Sequence, residues 1–170
     1  MKINIESDEF NRLIADEKYE ILEWLTCKGC RTNSKAYIYP KNKKALDWLY
    51  TNNVPLNKKD VLVDVLERYI NEKDMIMWFI NKKCIVSPEA VNKLIDIGNL
   101  EYISWCIDNI KLQFKYENIV NIIRKGDIKL LDFLESNFIK IECDKNMEDI
   151  IFSTKDKYII KWFIKRDYLE

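Results

Sequence analysis

The sequence predicts an all-α protein, a solenoid of about six stacked helix-turn-helix repeats with shortened loops between them. Three observations carry that prediction. A five-residue pattern recurs six times in the 170 residues, its apolar positions keep helical spacing, and a second apolar-periodic stretch precedes each copy.

The pattern is two apolar residues, any residue, an aromatic anchor, and one further residue that is mostly large and apolar. Its copies are Ile21-Leu22-Glu23-Trp24-Leu25, Ala45-Leu46-Asp47-Trp48-Leu49, Met75-Ile76-Met77-Trp78-Phe79, Tyr102-Ile103-Ser104-Trp105-Cys106, Leu130-Leu131-Asp132-Phe133-Leu134 and Ile159-Ile160-Lys161-Trp162-Phe163. Successive anchors are 24, 30, 27, 28 and 29 residues apart, a mean near 28, inside the range of stacked repeats. All five tryptophans occupy the anchor slot, with Phe133 replacing Trp in the fifth copy. Counting from the anchor, positions −3, −2, 0 and +1 are apolar. The −3/+1 and −3/0 pairs are neighbours on one helical face, so each copy reads as a buried helix with its tryptophan in the core.

In chain order, residues 1–6 alternate apolar and polar and read as either a short extended arm or a frayed end. The first repeat then offers a helix over residues 7–15 with Phe10, Leu13 and Ile14 inward. The first helix of the second repeat, residues 33–39, is the weakest, being short and ended by Pro40. The third runs over about 58–69, with Val61, Leu62, Val65, Leu66 and Tyr69 on one face. The fourth opens at Ser87-Pro88-Glu89, an N-cap followed by proline at the first helical position. The fifth spans about 116–123 and the sixth about 146–152. Gly98-Asn99 and Gly126-Asp127 mark the turns into the fourth and fifth second helices. With no linker between them, units 1–30, 31–54, 55–84, 85–112, 113–141 and 142–170 form one domain.

Composition narrows the function classes. The 28 Lys and Arg balance 28 Asp and Glu, and there is no His, which excludes His-based triads and His-ligated zinc. The longest uncharged run, residues 48–57, contains Asn52, Asn53 and Pro55 and is far shorter than the roughly 20 apolar residues of a membrane span. The N-terminus lacks the apolar core of a secretory signal, and Asp8 and Glu9 argue against a transit peptide, so a cytoplasmic location is expected. Five widely spread cysteines, an odd number, read as free thiols. Lys outnumbers Arg 23 to 5, and 25 Ile and 16 Asn accompany four Ala, a skew typical of A/T-rich coding sequence.

Four features invite a functional reading. Cys27-Lys28-Gly29-Cys30 has the spacing of half a zinc site or of a redox pair, but the other half is missing. Cys30 also aligns with Val54, Cys84, Ile139 and Tyr168 six residues after the anchor, an apolar packing slot. The clusters Lys41/Lys43/Lys44, Lys58/Lys59 and Lys82/Lys83 suggest a basic strip, yet acidic residues are interspersed throughout and Lys-for-Arg usage removes the bidentate contacts that specific nucleic-acid readers use. Tryptophans fixed in a repeat slot read as packing rather than as a ligand-stacking platform. Asp64 with Glu67 and Glu148 with Asp149 sit at ordinary helix-surface spacing, without a nucleophile or a phosphate loop. No catalytic residue, metal ligand or cofactor is assigned.

The residues after the anchors carry a resemblance. Trp24-Leu25-Thr26-Cys27-Lys28-Gly29-Cys30, Trp48-Leu49-Tyr50-Thr51-Asn52-Asn53-Val54 and Trp78-Phe79-Ile80-Asn81-Lys82-Lys83-Cys84 resemble the second helix of ankyrin repeats, in particular the divergent arrays of large DNA viruses and amoebae. There a Gly-Asn/Asp-Leu turn leads into a Trp-containing helix ending in Asn-Gly-Cys, as at Gly98-Asn99-Leu100 and, with Ile128 for Leu, Gly126-Asp127-Ile128. The Thr-Pro-Leu-His start of the usual first helix is absent, and the period is about 28 rather than 33. The resemblance implies a non-enzymatic protein-binding module, a viral host-interaction factor in the host cytoplasm, using first helices and their leading loops on a concave face. Transferred to this chain, the partner-binding positions are Asn57, Lys58, Lys59, Ser87, Glu89, Asn92, Lys115, Tyr116 and Asn118. The implied partner is another protein, not a specific nucleic acid or a membrane, and the chain is expected to be monomeric. A structural or self-assembling helical-repeat protein is the alternative.

Overall fold

The computed structural model describes residues 7–137 and 139–169. The expected arm at residues 1–6 lies outside them. Among the described residues there are eleven α-helices, one 3₁₀ turn and no strand, and helices take up more than half of the chain. No helix of the described residues is long and apolar enough to cross a membrane. The chain divides into two compact units, Met1–Ala90 and Val91–Glu170.

In the first unit, α1 (Ser7–Ala15) packs against α2 (Tyr19–Cys27), burying Phe10 and Ile14 against Leu22 and Leu25. The short stretch before Pro40 forms a 3₁₀ turn, Ser34–Ile38, its first N–H groups capped by Asn33, whose Oδ1 accepts from Lys35 N at 3.0 Å. This turn stands where the other repeats have a first helix and touches α1, α3 (Lys43–Thr51) and α4 (Val61–Arg68). It is pinned by Tyr69, whose buried hydroxyl lies 3.3, 3.2 and 2.9 Å from the carbonyl oxygens of Tyr37, Ile38 and Pro40. The hydroxyl of Tyr37 reaches Val54 O at 3.0 Å. Burial raises both phenols far above their ordinary range, so they remain neutral donors. Helix α5 (Lys73–Asn81) packs on α3 and α4.

The second unit takes in most of α6 (Pro88–Ile97), then α7 (Leu100–Ile110), α8 (Tyr116–Lys125), α9 (Ile128–Ser136), α10 (Lys145–Ser153) and α11 (Lys157–Ile164). Here α8 packs on α9 and α10, and α11 on α9 and α10. First helices thus meet first helices and second helices meet second helices. Asn99, Asp127, Asp144 and Asp156 cap α7, α9, α10 and α11 with side-chain oxygens on backbone N–H groups. Gly126 ends α8 with φ +71°, a left-handed conformation that glycine adopts most readily, and a Cβ there would stand 3.1 Å from Asp156 Oδ2 at the end of that side chain.

Second helices share one C-terminal device. Five residues past the anchor the backbone turns left-handed, at Gly29, Asn53, Lys83 and Asp167, with φ between 57° and 82°. The N–H of the following residue returns to the carbonyl at anchor +1: Cys30 to Leu25 at 3.0 Å, Val54 to Leu49 at 3.0 Å, Cys84 to Phe79 at 3.1 Å and Tyr168 to Phe163 at 3.1 Å. These bonds satisfy carbonyls that the helix end would otherwise leave open. In the fourth repeat the device slips by one residue, with Lys111 left-handed and Leu112 N bonding to Cys106 O.

The anchors require a correction. Only Trp78 and Trp162 are buried; Trp48, Trp105 and Phe133 are half-buried, and Trp24 is 52% exposed. Position +1 is buried in all six repeats, −2 in every repeat but the sixth, where Ile160 is half-buried, and −3 in every repeat but the first. The physical reason is angular: −3 and +1 share the face turned to the repeat's own first helix, whereas the anchor lies about 100° round from +1 and points sideways along the row of second helices.

Candidate functional site

In the first unit, the loop before α4 is built by Asn57. Its Oδ1 accepts from Lys59 N at 3.2 Å and its Nδ2 donates to Asp60 Oδ2 at 2.8 Å, a local turn that leaves Lys58 and Lys59 exposed. The next such loop is tied to it, since Ile85 N donates to Lys58 O at 2.7 Å. Ser87 then caps α6, its Oγ accepting from Ala90 N at 3.3 Å, and Glu89 lies exposed in the first turn of that helix. Burial pushes the Cys84 thiol up to about 11, partly opposed by Lys58, so it is a protonated packing group at neutral pH.

In the second unit, Lys115 and Tyr116 are exposed at the start of α8, and the Tyr116 hydroxyl points to Asp144 Oδ1 at 3.4 Å. Desolvation, reinforced by the Asp144 charge, raises that phenol. Asn118 is the second correction. It is fully buried, its Oδ1 accepts from Lys115 N at 3.0 Å, and its Nδ2 donates to Asn92 Oδ1 at 2.9 Å. The same oxygen of the half-buried Asn92 accepts from Asn121 at 3.2 Å. Asn118 is a structural cap, because a side chain that closes its own helix start from inside the core has nothing left to offer a partner. Structure therefore joins Asn57, Lys58 and Lys59 with the loop ahead of Ser87 and Glu89, and Asn92 with Asn118.

A second set of residues on the second helices escapes the five-residue pattern. Trp78 donates its indole N–H to Asp47 Oδ1 at 2.7 Å, and Trp162 to Asp132 Oδ1 at 2.6 Å; each acceptor is the residue just before the anchor one repeat earlier. A cation four residues after the anchor lies over the ring: Lys82 Nζ is 5.4 Å from the Trp78 centroid and 4.0 Å from that of Tyr50, and the Arg166 guanidinium is 4.1 Å from that of Trp162. Arg166 also reaches Asp132 Oδ1 at 2.8 Å and Glu135 Oε2 at 2.6 Å. The sequence signal was available. Asp stands at −1 in the second and fifth copies, and Trp with a cation at +4 follows in the third and sixth.

Chemistry-bearing groups are dispersed. Cys27 is exposed and Cys30 buried in its apolar slot. Among the described residues, no three Cys, Asp or Glu side chains converge as ligands for a metal ion. A cleft of about 390 Å³ in the first unit is lined by Cys30, Arg31, Thr32 and Asn53 among others, with no carboxylate in its wall. No family model matches the chain, and no curated protein or solved structure matches it.

Proposed function

We propose that the chain is a non-catalytic protein-interaction module of the ankyrin-like kind, binding a protein partner through its first helices and the loops that lead into them. The observation that carries this reading is the way those loops are held. Asn57, Ser87 and the Lys58–Ile85 backbone bond fix the chain, while Lys58, Lys59 and Glu89 stay exposed, an arrangement that presents charge at little ordering cost on binding. Lys115 and Tyr116 are presented the same way by the buried Asn118. Together with the A/T-biased composition, the resemblance supports a viral host-interaction factor working in the host cytoplasm.

The test is a partner captured from host extract, identified, and titrated against purified variants. Lys58→Glu with Lys59→Glu, Glu89→Lys, and Tyr116→Ala are each expected to weaken binding by about tenfold or more with unchanged helicity, whereas Lys129→Glu and Lys161→Glu on second helices leave it intact. Loss on the second-helix changes alone would refute the assignment. Exposed Tyr158 and Ile164 on α11 favour a second reading, self-association, against which the exposed Lys157, Lys161 and Lys165 act by like-charge repulsion. Light scattering distinguishes the two.

A further inference from the structure

Resting on the interaction-module reading, we infer that the exposed face of α2 is a second docking surface, and that its occupant is a partner helix carrying an aspartate three residues before a tyrosine or a glutamate. The face is formed by Ile21, Trp24 and Lys28. Ile21 is 47% and Trp24 52% exposed, although their counterparts Met75 and Trp78, and Ile159 and Trp162, are all buried. Lys28 stands 6.0 Å from the Trp24 ring centroid, in the slot that Lys82 and Arg166 fill beside Trp78 and Trp162. Trp24 and Lys28 thus repeat, on an open surface, half of an interface that the chain completes twice within itself.

The completed interfaces specify the missing half. Trp78 and Lys82 are covered by α3, with Asp47 accepting the indole N–H and Tyr50 under the ammonium, its ring 5.9 Å from that of Trp78. Trp162 and Arg166 are covered by α9, where Asp132 accepts from both and Glu135 holds the guanidinium. In each case the covering helix offers an aspartate and, three residues on, a tyrosine or glutamate, which are neighbours on one helical face. A helix with that pair supplies an acceptor for the Trp24 N–H and a negative or aromatic group for Lys28. A second copy of this chain is a poorer occupant. Its Asp47/Tyr50 and Asp132/Glu135 pairs are already engaged, and α11, with Lys161 and Ile164 at the equivalent positions, would set one ammonium against another.

The experiment titrates the full chain with a labelled, hydrocarbon-stapled helical peptide that presents Asp, Leu and Tyr at the spacing of Asp47, Leu49 and Tyr50, followed by anisotropy. Saturable binding is expected, weakened by about tenfold or more in Trp24→Ala and in Lys28→Glu. A peptide with Lys in place of Asp, which offers the indole N–H no acceptor and sets a like charge near Lys28, should no longer bind the wild-type chain. Both substitutions are on exposed side chains, and circular dichroism verifies the fold. Glu89→Lys and Tyr116→Ala should leave this titration unchanged, so failure of the α2 surface and failure of the first-helix surface are read separately. Undiminished binding to Trp24→Ala and Lys28→Glu, or no saturation by about 1 mM peptide, overturns the inference. So does a dimer that disappears in Trp24→Ala, or a gain of about tenfold on deleting residues 1–6, which would make another copy or the chain's own N-terminus the occupant.

Discussion

The indole N–H of Trp78 donates to Asp47 at 2.7 Å across one repeat, and the bond recurs between Trp162 and Asp132 at 2.6 Å. A large ring is thereby buried without stranding its single polar group, and the acceptor's charge strengthens the bond. Removing the acceptor exposes the dependence: Asp47→Ala is expected to cost about 1–3 kcal/mol by leaving a buried donor unpaired. Trp78→Ala should cost about 3–5 kcal/mol. Trp162→Ala belongs in the same range, since Trp162 is as deeply packed as Trp78 although it lies in the last repeat. Urea midpoints measure all three.

Trp48 provides the contrast. Its Nε1 is buried with no hydrogen-bond partner among the described residues, as is the hydroxyl of Tyr19, whose ring centroid lies 6.2 Å away. Trp48→Phe removes an unsatisfied donor along with some apolar area, so its effect should stay within about 1 kcal/mol, while Trp78→Phe destabilises by more. Equal losses for the two would show that the N–H groups contribute nothing.

Tyr69→Phe takes away one hydroxyl placed against three backbone carbonyls around the 3₁₀ turn. A loss of about 1–3 kcal/mol is expected, with amide exchange rising first over residues 34–40. Unchanged exchange there would show that the turn is held by packing alone.

The thiols should separate kinetically. Cys27, exposed, is expected to react with an aromatic disulfide reagent at once, and the buried Cys30, Cys84 and Cys106 only on unfolding. Cys84 also links stability to pH. Its folded value lies near 11 against an ordinary 9.0, so the neutral thiol favours the fold; that contribution is full below pH 9 and is lost as pH climbs towards 11. Cys84→Val should flatten that part of the profile. A chelator is expected to leave melting unchanged, and a large downward shift would reveal a metal.

Helix content and the first-helix faces were legible because an apolar period of 3.6 is a local property. Val61, Leu62, Val65, Leu66 and Tyr69 all face inward as their spacing requires, and Ser87-Pro88 begins α6 as capping chemistry dictates. The depth of the tryptophans was not legible, because it depends on which residue of another repeat lies alongside: Asp47 and Tyr50 for Trp78, and nothing comparable for Trp24 among the described residues. Asn118 was misplaced for a related reason. An asparagine at the third helical position reads as polar surface until a backbone N–H and Asn92 are seen to use both ends of its amide.

The left-handed residue at anchor +5 has a consequence for how such a chain changes length. Anchor and stop are separated by a fixed count in four of the six repeats, so each second helix carries its own ruler, while anchor-to-anchor spacing still ranges from 24 to 30 residues. In those repeats the variation in spacing therefore falls after the stop and before the next anchor, in the same segments that present Lys58, Lys59, Ser87 and Glu89. New surface can be written into this protein by lengthening those segments, without re-registering a single helix against its neighbours.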